Sequence, residues 1–198
     1  MKQITPIEIQ EIKLFSDKQV YFPREDSLLL AKQVKVFPKS KTLDLGCGTG
    51  LIGLIGAKQN AIVLCADINP NALKLTEKNA IENQLKVEVR ESDLFSNIKE
   101  KFDFIYFNPP YVIEEGKRKE WIDKALDGGK NGRKVIDEFI PKIKKHLTEN
   151  GKCFFLQSNL NGIKETELKL EKQLLEFEIV GREKLFFEEL IVFKVWKK

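Results

Sequence analysis

Thr42-Leu43-Asp44-Leu45-Gly46-Cys47-Gly48-Thr49-Gly50 joins an apolar, β-like run to a glycine-rich turn. Glycines at such a turn let a ligand approach the backbone and let the next helix pack close to the sheet. Gly48, Gly50 and Gly53 also satisfy a literal G-x-G-x-x-G, the dinucleotide fingerprint. Alone, the same residues equally describe a tight strand-to-helix turn with no ligand, so the surrounding pattern has to decide. From Lys41 onward, short β-like runs alternate with helical patterns. Thr42–Leu45, Ala61–Cys65, Val87–Arg90, Phe102–Phe107 and Cys153–Gln157 read as strands. Gly50–Gln59, Pro70–Asn83, Gly132–Leu147 and Gly162–Leu175 read as helices, the second with Asn69 as N-cap and Pro70 at the first helical position. Alternation of this kind predicts a parallel α/β sheet. Phe177–Phe187 and Leu190–Trp196 are both strand-like with no room for a helix between them, so they should close the sheet as an antiparallel hairpin.

Three acidic residues punctuate the strand ends. Asp44 precedes the glycines, Asp67 ends the second strand, and Asp93 follows the third in Ser92-Asp93-Leu94-Phe95. Ligands of open α/β sheets bind at that edge, where a carboxylate after the second strand accepts hydrogen bonds from ribose hydroxyls. Asp67 could equally cap the next helix, and Asp93 could be an ordinary turn residue. Asp93 with Leu94 offers a hydrogen-bond acceptor and an apolar surface for an adenine. Three acids and no Lys or Arg in these motifs disfavour a phosphate-rich ligand. They suit a nucleoside with a positively charged tail, and S-adenosylmethionine is such a ligand.

Asn108-Pro109-Pro110-Tyr111 follows the apolar run Phe102–Phe107. Proline fixes φ, lacks the N–H, and pushes the preceding residue toward extended geometry. The result is a stiff turn whose Asn amide and proline carbonyls are free to accept from a planar –NH2 group. The following Val112–Asn131, with mixed charge and clustered glycines, reads as an irregular loop or lid at the site.

Composition narrows the class. The 198 residues are 42% hydrophobic and 32% charged with a net charge of +4, which favours one globular domain over 1–198 and permits a nucleic-acid partner without requiring one. Residues 1–40 form an N-terminal capping segment, with a helix expected over Arg24–Val34. Cys47, Cys65 and Cys153 are scattered without a CxxC, so no metal site or disulfide is expected, and a reducing cytoplasm fits. No signal region or membrane-length apolar run is present. His146, the one histidine, lies among lysines and reads as a solvated surface residue rather than a catalytic base.

These motifs together resemble class I S-adenosylmethionine-dependent methyltransferases with a Rossmann-like fold. With Asn108-Pro109-Pro110-Tyr111, the chain is similar to the HemK-type protein-glutamine methyltransferases. Val20-Tyr21-Phe22-Pro23-Arg24-Glu25-Asp26-Ser27-Leu28 and Ala125-Leu126-Asp127-Gly128-Gly129 resemble the short archaeal and eukaryotic branch, which modifies the Gly-Gly-Gln loop of peptide-chain release factors. No N-terminal helical substrate domain of the bacterial kind is expected, and Phe22 departs from the acidic residue common in that branch. The resemblance implies a seven-stranded sheet whose last strand is antiparallel. It places Ser27, Asp44 and Gly46 at the methionine end of the cofactor, on the turn with Gly48 and Gly50. Asp67 would hold the ribose, and Asp93 with Leu94 the adenine. Asn108 and Pro109 would hold the target amide, bordering the cofactor, with Pro110 and Tyr111 completing the turn. A small zinc-binding activator protein would complete a heterodimer, with Val87–Arg90 as an open edge for docking. The alternative acceptor is an amine of RNA or DNA, as in N6-adenine and N2-guanine methyltransferases. The basic run Lys117-Arg118-Lys119, with Lys130, Arg133 and Lys134, speaks for it, although such a run usually forms a solvated face. The missing room for a base-reading domain speaks against it.

Overall fold

The computed structural model describes residues 6–113 and 120–198. A short antiparallel hairpin, β1 (Ile7–Ile9) and β2 (Ile12–Leu14), leads into α1 (Glu25–Ala31). The alternating part follows as β3 (Lys41–Leu45), α2 (Leu51–Lys58), β4 (Ile62–Asp67), α3 (Pro70–Glu82), β5 (Glu88–Glu91) and β6 (Phe102–Phe107). After β6 come one helical turn, α4 (Trp121–Lys124), then α5 (Lys134–His146) and β7 (Leu147–Ser158). A 3-10 turn (Asn159–Asn161), α6 (Ile163–Lys172), β8 (Leu175–Lys184) and β9 (Glu189–Lys197) complete the chain.

The main sheet has seven strands in the order β5-β4-β3-β6-β7-β9-β8. The β5-to-β7 pairs are parallel, and β9 runs antiparallel to both β7 and β8. Each strand expected from the apolar pattern is present. The largest shift is in β7, which begins at Leu147 rather than Cys153. The α3 cap is as expected, with Asn69 Oδ1 accepting from Asn71 N at 2.9 Å and Pro70 at the first position. The β1–β2 hairpin was not legible. Its turn is Gln10-Glu11, both at positive φ (49° and 61°), where Asn or Gly is the usual signal.

Both faces of the sheet are covered. On one, Phe139, Ile140 and Ile143 of α5 and Leu170 of α6 pack on Leu43, Ile105, Phe155 and Phe193. On the other, α1, α2 and the β1–β2 hairpin pack on Tyr106, Phe154 and Leu156. Cys47, Cys65 and Cys153 are all buried and free. Among the described residues, no helix is long and apolar enough to cross a membrane.

His146 corrects the surface reading. It is 4% exposed, its ring stacks on Phe95 at 4.2 Å between centroids, and Nδ1 lies 3.2 Å from the Glu100 carbonyl oxygen. The apolar stripe of α5 through Phe139 and Ile143 continues at helical spacing to residue 146, and the neighbouring lysines hide that phase. Burial holds its pKa below the ordinary histidine value.

Phe139 is fully buried, with Phe95 and Phe155 at 5.7 Å and Phe107 at 4.8 Å between centroids. Phe139→Ala should therefore cost about 3–5 kcal/mol of stability in urea unfolding. A loss below about 1 kcal/mol would mean that α5 does not seat the core as described.

Candidate active site

The chain turns from one half of the sheet to the other between β3 and β6, which lie side by side. Loops leaving two such neighbours in opposite directions open a crevice at their carboxyl ends. A cleft of about 350 Å³ occupies that place. Of the residues singled out in the sequence, Ser27, Asp44, Gly46, Gly48, Asp67, Asp93, Leu94, Asn108, Pro109, Pro110 and Tyr111 line it. Gly50 does not. It sits at φ +82°, and a Cβ there would lie 2.8 Å from the Thr76 side chain, so it serves the close packing of α2 on α3. Phe22 is half-buried against the apolar core and does not line the cleft.

The carboxylates differ in their settings. Asp44 is 3% exposed and accepts from Gly53 N at 2.8 Å. Burial pushes its pKa up to about 7, the Gly53 N–H opposes that rise, and the nearby Asp67 charge adds to it. Asp67 accepts from Gly48 N at 2.9 Å and Asn69 N at 2.8 Å, so it ties the glycine turn to the start of α3. Burial raises its pKa too. Asp93 is exposed at the rim. Beside it Leu94 takes a left-handed φ of 46°, and its carbonyl accepts from Ser92 Oγ at 2.7 Å. A leucine held in that region carries a conformational cost, and such costs concentrate at binding sites.

The acceptor turn is organised by a residue the sequence left without a role. Asp26, in the first turn of α1 and 4% exposed, accepts from Tyr21 Oη at 3.1 Å and Ser27 N at 2.6 Å. It also accepts from Asn108 Nδ2 at 3.1 Å and Tyr111 Oη at 3.3 Å. A carboxylate only accepts, so the Asn108 amide must turn its –NH2 toward Asp26 and its oxygen away. Asn108 Oδ1 is then buried without a partner, and among the described residues it is the one such side-chain atom whose residue lines the cleft. Leaving a buried acceptor unpaired costs about 1–3 kcal/mol. Burial, and then the Asp26 charge, push both Tyr21 and Tyr111 above the ordinary phenol range, so both remain donors.

A second layer fixes the backbone of the turn. Asn161 Nδ2 donates to the Tyr111 carbonyl at 2.9 Å. Gly132, at φ +68°, makes room for this: a Cβ there would fall 2.3 Å from that carbonyl oxygen and closer still to the Asn161 amide. Arg133 is buried, bound to the carbonyls of Asn161 and Gly162 and paired with Asp137 and Glu165. It is therefore not part of a free basic face. The loop expected over Val112–Asn131 folds back through a bridge between Val112 and Asp127, and α4 brings Trp121 and Lys124 to the cleft. Gln19 ties the N-terminal segment to α4, its Oε1 accepting from Trp121 N at 3.2 Å and its Nε2 donating to Glu120 at 3.1 Å.

The strand order and the acid-lined cleft define a Rossmann-like methyltransferase. The chain belongs to the methyltransferase small domain family, which matches residues 11–187. It is 43% identical over 194 residues to a Methanocaldococcus jannaschii protein provisionally named a protein N5-glutamine methyltransferase, covering 96% of this chain and 98% of that one. It is 32% identical over 161 residues to the release factor glutamine methyltransferase of Lactococcus lactis, covering 74% of this chain and 59% of that one. Among solved structures, the E. cuniculi Mtq2–Trm112 complex, described as responsible for methylation of the eRF1 translation termination factor, superposes with a TM-score of 0.73 at 27% identity. That likeness covers 91% of this chain and 99% of the other. The protein is an S-adenosylmethionine-dependent N-methyltransferase.

The cleft suits that cofactor. Among the described residues no Lys or Arg forms an ion pair with Asp44 or Asp67, so a cation in the cleft would relieve their burial. With burial pushing the Asp44 pKa up to about 7, a cofactor cation held by this carboxylate would bind more weakly as pH falls below that value, by up to about tenfold per unit. Asp44→Asn should weaken binding above that pH and flatten the profile in calorimetric titration. Equal slopes in variant and wild type would remove Asp44 from this role.

Proposed function

We propose that the protein methylates the side-chain nitrogen of a glutamine in another protein, the Gly-Gly-Gln glutamine of a peptide-chain release factor. The observation that carries this reading is the buried, unpartnered Asn108 Oδ1, turned away from Asp26. The names and descriptions of the two relatives and of the solved complex support the same substrate class.

A glutamine amide is a poor nucleophile because its nitrogen lone pair is delocalised into the carbonyl. Two acceptors change this. Asn108 Oδ1 and the Pro109 carbonyl each take one N–H, fix the nitrogen, and stabilise the positive charge that grows on it. Asp26 keeps the Asn108 amide in the one orientation that accepts. The bound cofactor supplies an electrophilic methyl group. Ser27, Asp44, Gly46 and Gly48 would hold its amino-acid end, Asp67 its ribose, and Asp93 with Leu94 its adenine. No strong base is required before transfer, since methylation acidifies the nitrogen, and this accords with a histidine placed in the core.

The nucleic-acid alternative rests on a basic surface. Of its described residues Arg133 is consumed by internal pairs, while Lys130 and Lys134 are exposed; Lys117, Arg118 and Lys119 lie outside the described residues. What favours the amide reading is the naming of the two relatives and the description of the solved complex. The strand expected at Val87–Arg90 is β5, Glu88–Glu91, at one end of the sheet with a partner on one side only. It is the edge we assign to a small zinc-binding activator protein, by strand addition. The chain acts as one catalytic domain in the cytoplasm.

Asn108→Ala should leave cofactor affinity unchanged and raise the barrier to methyl transfer by about 2–4 kcal/mol, a loss of roughly thirty- to nine-hundredfold in rate. Single-turnover kinetics with labelled cofactor and release factor, followed by peptide mass spectrometry, reads both the rate and the modified residue. Wild-type turnover by the variant, or label in RNA instead of a glutamine, would overturn the assignment.

A further inference from the structure

The β8–β9 hairpin carries two phenylalanines that the fold does not use. Phe186 is 93% exposed and Phe187 is 85% exposed, and the two rings contact only each other closely, edge to face at 4.6 Å. They occupy a tight turn in which Leu185 N donates to the Glu188 carbonyl at 2.8 Å. Turns of this kind favour Gly, Asn, Asp or Pro, whose local chemistry suits them. Beyond their contact with each other, aromatics this exposed bury little surface in the isolated chain, whereas aromatic anchors dominate the energetics of interfaces.

Topology determines where this turn lies. β7 is parallel to β6, and β9 is antiparallel to β7 with Leu190 opposite Ser158. The start of β9 is therefore at the carboxyl edge, where β6 ends at Phe107 and Asn108 begins the acceptor turn. Two contacts and one electrostatic influence agree. Glu189 N donates to Asn159 Oδ1 at 2.8 Å. Asn161, in that same 3-10 turn, holds the Tyr111 carbonyl. The Glu188 charge is near enough to act on the Tyr111 phenol. Leu160, in that 3-10 turn, and Ile113, next to the cleft-lining Val112, are also exposed. A side chain reaching Asn108 must bring its own flanking backbone to this carboxyl edge of the sheet.

We propose that the Phe186–Phe187 tip, with Leu160 and Ile113, is the docking surface for the folded acceptor protein, and that it seats the segment flanking the target glutamine. This rests on the protein-glutamine reading above. It also divides the labour across the sheet, because β8 and β5 lie at opposite ends. The acceptor takes one end and the activator edge the other, so both can be engaged at once.

The test pairs the variant Phe186→Ser/Phe187→Ser with two acceptors, intact release factor and a short peptide carrying only the Gly-Gly-Gln segment. KM for intact release factor should rise by about tenfold or more. Its kcat, the affinity for S-adenosylmethionine, and kcat/KM for the peptide should remain near wild type. An unchanged KM for intact release factor would overturn the docking role. An equal loss with both acceptors would do the same, since it would show that the tip supports the site rather than the partner. A benzophenone cross-linker attached through Phe187→Cys should capture intact release factor next to its Gly-Gly-Gln loop, and failure to do so counts equally against the proposal. Capture of the activator or of a second copy of the chain, with KM unchanged, would assign the tip to another partner. If the wild-type enzyme itself methylates no glutamine, the functional reading fails, and that failure appears in the control rather than in the variant.

Discussion

The Asp26 carboxylate is the constraint on which the site depends. It gathers Tyr21, Ser27, Asn108 and Tyr111 at one point, and so joins the N-terminal segment, α1 and the acceptor turn. Its chemical consequence is directional. An Asn amide facing water would rotate freely, and either end could face a substrate. Opposite a buried carboxylate, only the –NH2 end is tolerated on that side, which leaves Oδ1 as a buried, unpaired acceptor on a residue that lines the cleft. The fold therefore stores in one atom the preference for a ligand that donates, as a planar amide does.

The rest of the architecture serves that atom. The adjacency of β3 and β6 puts the carboxylate-bearing cofactor turn beside the acceptor turn. The prolines stiffen the acceptor turn against rotation, and Asn161 clamps the Tyr111 carbonyl behind it. Gly132 is required there because a side chain would occupy the space of that clamp. The antiparallel end of the sheet then has a role beyond closing the core. β8 runs in the direction of β7 and ends at the catalytic edge, and the antiparallel β9 starts there, so the turn between them lies at that edge.

Much of this was legible before the structure. Strand periodicity, the Asn69-Pro70 helix start and the helix-free tail were enough for the sheet and its hairpin, because those signals are local. Asp44, Asp67 and Asp93 were legible as cleft residues because each lies at or near the carboxyl end of a strand, and a parallel sheet brings strand ends together. Asp26 was not. An acid in the first turn of a helix is ordinary, being favoured by the helix dipole, and its partners lie 82 and 85 residues away. Asn161 and Gly132 were silent for the same reason, since their contact is made through tertiary structure. His146 misled because three flanking lysines outweighed one helical phase. The β1–β2 turn misled because Gln10 and Glu11 adopt positive φ without the residues that usually announce it. Gly50 carried the right motif for a different reason, helix packing rather than ligand contact.

The central claim is that Asn108 Oδ1 accepts a hydrogen bond from the target amide. The most direct measurement is a crystal structure with S-adenosylhomocysteine and a Gly-Gly-Gln peptide bound. The glutamine nitrogen should lie about 2.7–3.2 Å from Asn108 Oδ1, with Asn108 Nδ2 still on Asp26. A bound peptide whose glutamine points elsewhere, or an Asn108 amide that has left Asp26 to present its –NH2 to the cleft, would contradict the account.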